Sequence, residues 1–184
     1  MTMAKGLSSA YQPISAIVMS DDIYTGIVSG SDQVGHYFAH GATYAGHPVA
    51  AAVALKVLDI FERRNLLSHV REVAKHFAVR LHGYAQHPLV GEVRQIGLVG
   101  AVELVANKAK RELFRQPSQV AQHLKQRCEA HGLIVRAVAA GDSIAFCPPL
   151  ITTAAEIDEI FGRFDIAIEE TTRWAEEQRL VRFE

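Results

Sequence analysis

The chain has 184 residues, 49% of them apolar and 21% charged, with a formal net charge of -1. That apolar share supports a packed core and argues against disorder, while the balanced charge offers no basic surface to nucleic acid or an anionic membrane. No stretch reaches the roughly 18 to 20 continuous apolar residues of a membrane span, and the start, Met1-Thr2-Met3-Ala4-Lys5, lacks a secretory apolar run.

Residues 14–19 (ISAIVM) predict a short buried strand between glycine and serine turns at 6–9 and 26–31. Residues 35–47, rich in Gly, His and Tyr but without a period, predict a loop. Pro48 suits the first turn of a helix, in which Val53, Val57, Ile60, Phe61 and Arg64 recur at helical spacing. After Asn65, the stripe Leu66, Val70, Val73, Phe77, Leu81 and Tyr84 predicts a second helix, which His87-Pro88 stops. Residues 90–96 and 98–104 predict paired or sharply bent strands about Gly97.

A helix from Ser118, its expected N-cap, to His131 follows, with Gly132 as its stop. Residues 133–138 and 144–146 predict two short strands around a turn at 140–142, and Pro148-Pro149 is a rigid break. Thr153-Ala154-Ala155-Glu156 matches a capping box. It opens a last helix whose inner face is Ile157, Ile160, Phe161, Phe164 and Ile168; beyond Trp174 the charged tail is expected to fray. The second half is thus expected to be a compact α/β unit. The first 47 residues, one strand with loops, cannot satisfy a lone strand's backbone. Cys128 and Cys147, far apart and without a C-x-x-C partner, are expected to be buried free thiols in a reducing cytoplasm.

Three places can carry chemistry. Lys5 precedes the flexible run Gly6-Leu7-Ser8-Ser9, and a lysine at a core edge can become a nucleophile for carbonyl compounds, although a lysine near a chain end is ordinarily a solvated charge. The segment from His40 to Pro48 (HGATYAGHP) puts small residues and the hydroxyl of Thr43 ahead of a helix N-terminus, which suits an anion such as phosphate, or simply an ordinary capped loop. Arg136 leaves an apolar strand before a Gly-Asp turn, as a fork for a carboxylate or as a salt-bridged edge residue. His36, His40 and His47 fit no compact zinc spacing, so no metal is expected. G-x-G-x-x-G, Walker and G-x-S-x-G motifs are absent.

Taken in order, these segments resemble the class III aminotransferases. Residues 4–16 (AKGLSSAYQPISA) are similar to the family's lysine segment, especially in its ω-amino acid or amine:pyruvate branch. Residues 40–56 (HGATYAGHPVAAAVALK) resemble its phosphate loop and following helix. Gly91-Glu92-Val93-Arg94 with residues 97–105 (GLVGAVELV) resembles the opening of its small domain, and Gly132 to Arg136, Gly141-Asp142 and residues 148–152 (PPLIT) its closing part.

The resemblance implies fold type I, with residues 1–88 from the C-terminal part of the pyridoxal-phosphate-binding large domain and 89–184 forming the small α/β domain. It implies that Lys5 is the Schiff-base lysine and the proton shuttle, that Thr43 holds the cofactor phosphate of the neighbouring subunit in a homodimer, and that Arg136 pairs with a substrate carboxylate or swings aside. The implied reaction moves an amino group from an amine or ω-amino acid to a 2-oxo acid such as pyruvate. The family places most of its large domain before the lysine, so a truncated chain, binding cofactor weakly or not at all by itself, is expected. A non-catalytic interaction or dimerisation domain of the same fold is the alternative, resting on the apolar faces of the two helices after Pro48. An aminomutase or decarboxylase of the same fold is a third.

Overall fold

A computed structural model describes residues 1–29, 40–138 and 141–182, and the chain divides into two units, Met1–Asn65 and Leu66–Glu184. In the first unit, β1 (Thr2–Met3) pairs antiparallel with β2 (Ala16–Ile17). The expected buried strand over 14–19 is therefore reduced to two paired residues, and Ile17 is 55% exposed. Its strand partner among the described residues is itself two residues long, too short to shield it.

Helix α1 (Asp21–Val28) stands partly where a glycine turn was expected. Ser20 caps it, accepting from the Ile23 amide at 3.5 Å, and Asp21 and Asp22 face the positive end of the helix dipole. Gly26 lies inside the helix at an ordinary cost of about 1 kcal/mol, which these N-terminal features offset. Helix α2 (Pro48–Arg63) begins as expected, with Pro48 in its first turn, and buries Ala50, Ala54 and Val57.

The second unit is a sheet backed by helices. Its elements are α3 (Leu66–Gly83), β3 (Val90–Ile96), β4 (Val99–Leu104), α4 (Gln119–Ala130), β5 (Arg136–Val138), β6 (Ser143–Phe146) and α5 (Ala154–Glu177). The strands run antiparallel in the order β3-β4-β6-β5. Gly97 takes the positive φ (56°) that a two-residue hairpin requires, and so fixes the pairing of Ile96 with Val99. Val102, Leu104, Ile144 and Phe146 point from the sheet into a core filled by Phe77 and Leu81 of α3, Leu124 and Cys128 of α4, and Phe161, Phe164 and Ile168 of α5. Phe161 packs on Phe77 with ring centroids 5.4 Å apart, and Phe164 meets Phe146 edge-on at 4.9 Å.

Four expectations need correction here. Ser118 precedes α4 in a left-handed conformation, and its side chain does not cap the helix. The carboxylate of Asp142 does so instead, accepting from the amides of Ser118 (3.0 Å) and Ala121 (2.9 Å). Only residues 136–138 of the predicted 133–138 strand pair with a neighbour; Leu133 and Val135 are buried beside the sheet. Through Arg182 the C-terminal tail is docked, not frayed. Helix α5 runs to Glu177, Ala175 and Val181 are buried, and the Arg182 amide donates to the Ala106 carbonyl at 3.0 Å. Both cysteines are free, but only Cys128 is buried, which pushes its thiol up to about 12, whereas Cys147 is exposed. The capping box at Thr153 and Glu156 is present in full. Among the described residues no helix is long and apolar enough to cross a membrane.

Candidate active site

Lys5 opens a 3-10 turn, Lys5–Ser8, immediately after β1. The turn is tightly wound. Lys5, Ser9 and Ala10 all have positive φ (52°, 51° and 63°), a region that non-glycine residues seldom enter. Local bonds hold it: the Leu7 amide donates to the Ala4 carbonyl (3.2 Å), the Ser9 amide to that of Gly6 (3.1 Å), and the buried Ser8 hydroxyl to that of Gln12 (2.5 Å). Helix α2 packs against this turn, so the Lys5 backbone is fixed while its side chain stays exposed. An amine held at a constrained, accessible turn can reach a carbonyl carbon without first unfolding anything.

Thr43 lies in the turn 43–46 that leads into α2. The Ala45 amide donates to the Ala42 carbonyl at 2.8 Å, and Gly46 adopts φ 71°. His47 is the N-cap residue, its Nδ1 accepting from the Ala50 amide at 3.4 Å. The Thr43 hydroxyl is thus exposed on small-residue backbone just ahead of a helix N-terminus, the polarity that favours an anion. His36 lies outside the described residues; His40 and His47 are exposed.

In the second unit Arg136 is the first residue of β5 and is exposed. The strand registers place it in one row with Ala145 of β6, Ala101 of β4 and Arg94 of β3. The two arginines of that row differ. Arg94 is held by Glu103 (2.8 Å) and Glu92 (2.6 Å), which keep its guanidinium charged beyond its usual range. Arg136 makes no side-chain hydrogen bond or ion pair with a described residue, and its neighbours in the row are small. Its fork is the uncommitted cation of this row.

Lys5 and Thr43 therefore share the first unit, with no hydrogen bond joining them, and Arg136 belongs to the second. The sequence reading missed the Arg94–Glu92–Glu103 group. Glu92 and Arg94 lie two apart on one strand face, and folding the hairpin at Gly97 brings Glu103 opposite Glu92, so the signal was present once the turn was placed. The first unit thus offers a donor set of two separate groups, a primary amine of a kind that reacts with carbonyls and a hydroxyl, on a small-residue turn at a helix start, of a kind that meets phosphates.

Known proteins give that donor set its context. The family model for class III aminotransferases matches residues 1–168. An uncharacterized aminotransferase of Sinorhizobium fredii is 43% identical over 91% of this chain and 36% of its own length. A probable mitochondrial gamma-aminobutyrate transaminase of Oryza sativa is 40% identical over 93% of this chain and 33% of its own length. The solved ω-transaminase of Pseudomonas jessenii, in complex with PMP, superposes with a TM-score of 0.87 at 40% identity, over 95% of this chain and 38% of that one. The chain spans about a third of the length of the curated relatives it matches. It belongs to the class III aminotransferases, pyridoxal-phosphate-dependent enzymes of fold type I.

Proposed function

We propose that this chain serves amino transfer from an amine or ω-amino acid to a 2-oxo acid such as pyruvate, with Lys5 as the catalytic lysine. The observation that carries the proposal is the exposed Lys5 amine on a turn wound through three left-handed residues and packed on α2. Pyridoxal phosphate, when bound, supplies an electron sink that makes the carbon-bound proton next to the amino group acidic. Lys5 Nζ would remove that proton and deliver one two atoms away, at the cofactor's C4′ carbon, acting as base and then as acid. The Thr43 hydroxyl donates to the phosphate. The Arg136 guanidinium forks onto a substrate carboxylate, and its small neighbours Ala145 and Ala101 leave it room to turn aside for an amine that has none.

In this proposal residues 1–88 belong to the large domain and 89–184 to the small domain, and Thr43 serves the partner subunit of a homodimer. The apolar side chains that α2 leaves exposed, Val49, Leu55 and Leu58, support a second copy as the cover. The same exposed face favours the second reading, a non-catalytic dimerisation domain. Two free cysteines, one of them exposed, fit a reducing compartment such as the cytoplasm.

Trapping separates the two readings. The chain is mixed with pyridoxal phosphate and reduced with borohydride, and the pyridoxyl label is mapped by peptide mass spectrometry. A modest excess of label on Lys5, lost from that peptide in Lys5→Ala, is the expected result, in keeping with weak binding of the cofactor by this chain alone. Label spread evenly over Lys5, Lys56, Lys75, Lys108, Lys110 and Lys125 would remove the catalytic reading and leave the dimerisation domain.

A further inference from the structure

The docked C-terminal tail builds a second, unrelated feature. Between the tail and the loop that follows β4 lies a cavity of about 320 Å³, walled by Arg115, Arg179 and Arg182 and floored by Phe114 and Leu180. Both walls are fixed. The loop is closed by the bridge between Asn107 and Glu112, and the tail is tied to it by the Arg182 amide on the Ala106 carbonyl (3.0 Å) and by the Asn107 side-chain amide on the Arg182 carbonyl (2.9 Å). Phe114 and Val181 are buried at 8% exposure, so the arrangement has an apolar anchor as well.

The charges are unusual for this protein. Elsewhere in the unit several arginines are neutralised by acids, Arg80 by Asp158 and Asp165, Arg94 by Glu92 and Glu103, Arg127 by Glu170 and Arg163 by Glu159, while Arg136 stands alone on its strand. Here three arginines line one space, and none has a side-chain hydrogen bond or ion pair with a described residue. Glu112 is the one acid among the described lining residues, so three positive charges and one negative leave the described wall at +2. Like charges gathered on fixed walls repel, and an anion between them relieves that repulsion.

We propose that this cavity is a binding site for a small organic dianion, a dicarboxylate or a phosphate monoester, remote in sequence from Lys5 and Thr43. The guanidinium forks match either group bidentately, and the apolar floor takes the carbon skeleton between or beside the charges.

The full chain is titrated calorimetrically at low salt with succinate, with inorganic phosphate, and with neutral succinamide. Saturable one-to-one binding of succinate or phosphate, absent for succinamide, is expected; the tighter of the two identifies the group recognised. Arg179→Gln and Arg182→Gln should each weaken binding by about tenfold, the scale of one charge-assisted contact. Glu112→Gln, which raises the wall to +3, should strengthen it, and Arg71→Gln, which does not line the cavity, should leave it unchanged. Because the substituted side chains are exposed, far-UV circular dichroism should be unaltered in each variant. The proposal is overturned by an absence of saturable binding, by binding that survives the triple Arg115→Gln, Arg179→Gln, Arg182→Gln variant, or by an equal loss in Arg71→Gln.

Discussion

Phe77, Leu124, Ile144, Phe161 and Phe164 are fully buried in Leu66–Glu184, whereas the buried apolar side chains described in Met1–Asn65 are Ala50, Ala54 and Val57. The larger unit gains its order from burying whole rings and branched chains, each worth roughly 1.5 to 3 kcal/mol. The smaller one relies on short backbone pairing at β1 and β2, on a capped helix α1 with no buried residue, and on one face of α2. Lys5 and Thr43 lie on turns of the weakly cored unit, while Arg136 starts a strand backed by the strong core. Reactive groups on loops need a firm support, and for Lys5 that support is the tight turn against α2.

The sharpest way to break this contrast is to open the core on one side only. Phe161 touches the rings of Phe77, Tyr84 and Phe146, and Arg80 lies over its face. Phe161→Ala should therefore cost about 3 to 5 kcal/mol and unfold the second unit at much lower urea. Leu55→Ala, on the exposed side of α2, should shift the urea midpoint of a dilute sample by no more than about 0.5 kcal/mol equivalent. Equal losses in the two variants would mean that the units share one cooperative core.

A smaller effect is expected at Asp142, which is 7% exposed and spends its carboxylate on the first turn of α4. Asp142→Ala removes both acceptors at once and should cost about 1 to 2 kcal/mol in urea unfolding, with Asp142→Asn restoring part of it. A loss no larger than that of Ser118→Ala would return the capping role to Ser118.

Legibility in the sequence followed the same division. Long periodic segments in the cored unit were readable because burial enforces the period: the stripe of α3, the hairpin about Gly97 and the capping box of α5 stand where the pattern put them. Local pattern failed where distant groups decide. Ser118 is the right residue type for a cap, but Asp142 reaches it from 24 positions away. The tail beyond Trp174 reads as charged, yet Leu180 and Val181 dock because Ala106 and Asn107 offer backbone and amide partners. Helix α1 was missed because Gly26 was given more weight than the Ser20-Asp21-Asp22 start. Of the candidate site, the residue types and their order were legible; the left-handed winding at Lys5, and the neutralisation of Arg94 that leaves Arg136 uncommitted, require coordinates.

The least disruptive probe of the contrast is protons. In the cored unit, burial lowers the imidazole pKa of His87 below its ordinary 6.5, with Lys108 adding to the effect and Glu169 opposing it. Burial also lowers that of His123, which stacks on Trp174 at 3.9 Å, with Arg127 adding and Glu170 opposing. The folded state therefore holds both rings neutral more firmly than the unfolded chain does. The unfolded chain binds the extra protons first, so the stability is present above about pH 6.5 and is lost as the pH falls through and below that value. Glu170 acts in a separate window: His131 and Arg127 lower its carboxyl pKa, so its contribution persists down to its ordinary 4.5 and is lost only below. The urea midpoint of the second unit should thus fall between pH 7.5 and 5.5, and His87→Gln with His123→Gln should flatten that slope. Trp174, the single tryptophan of the chain, reports on this unit alone. An unchanged slope in the double variant would assign the pH dependence to other groups and leave the buried imidazoles without a part in it.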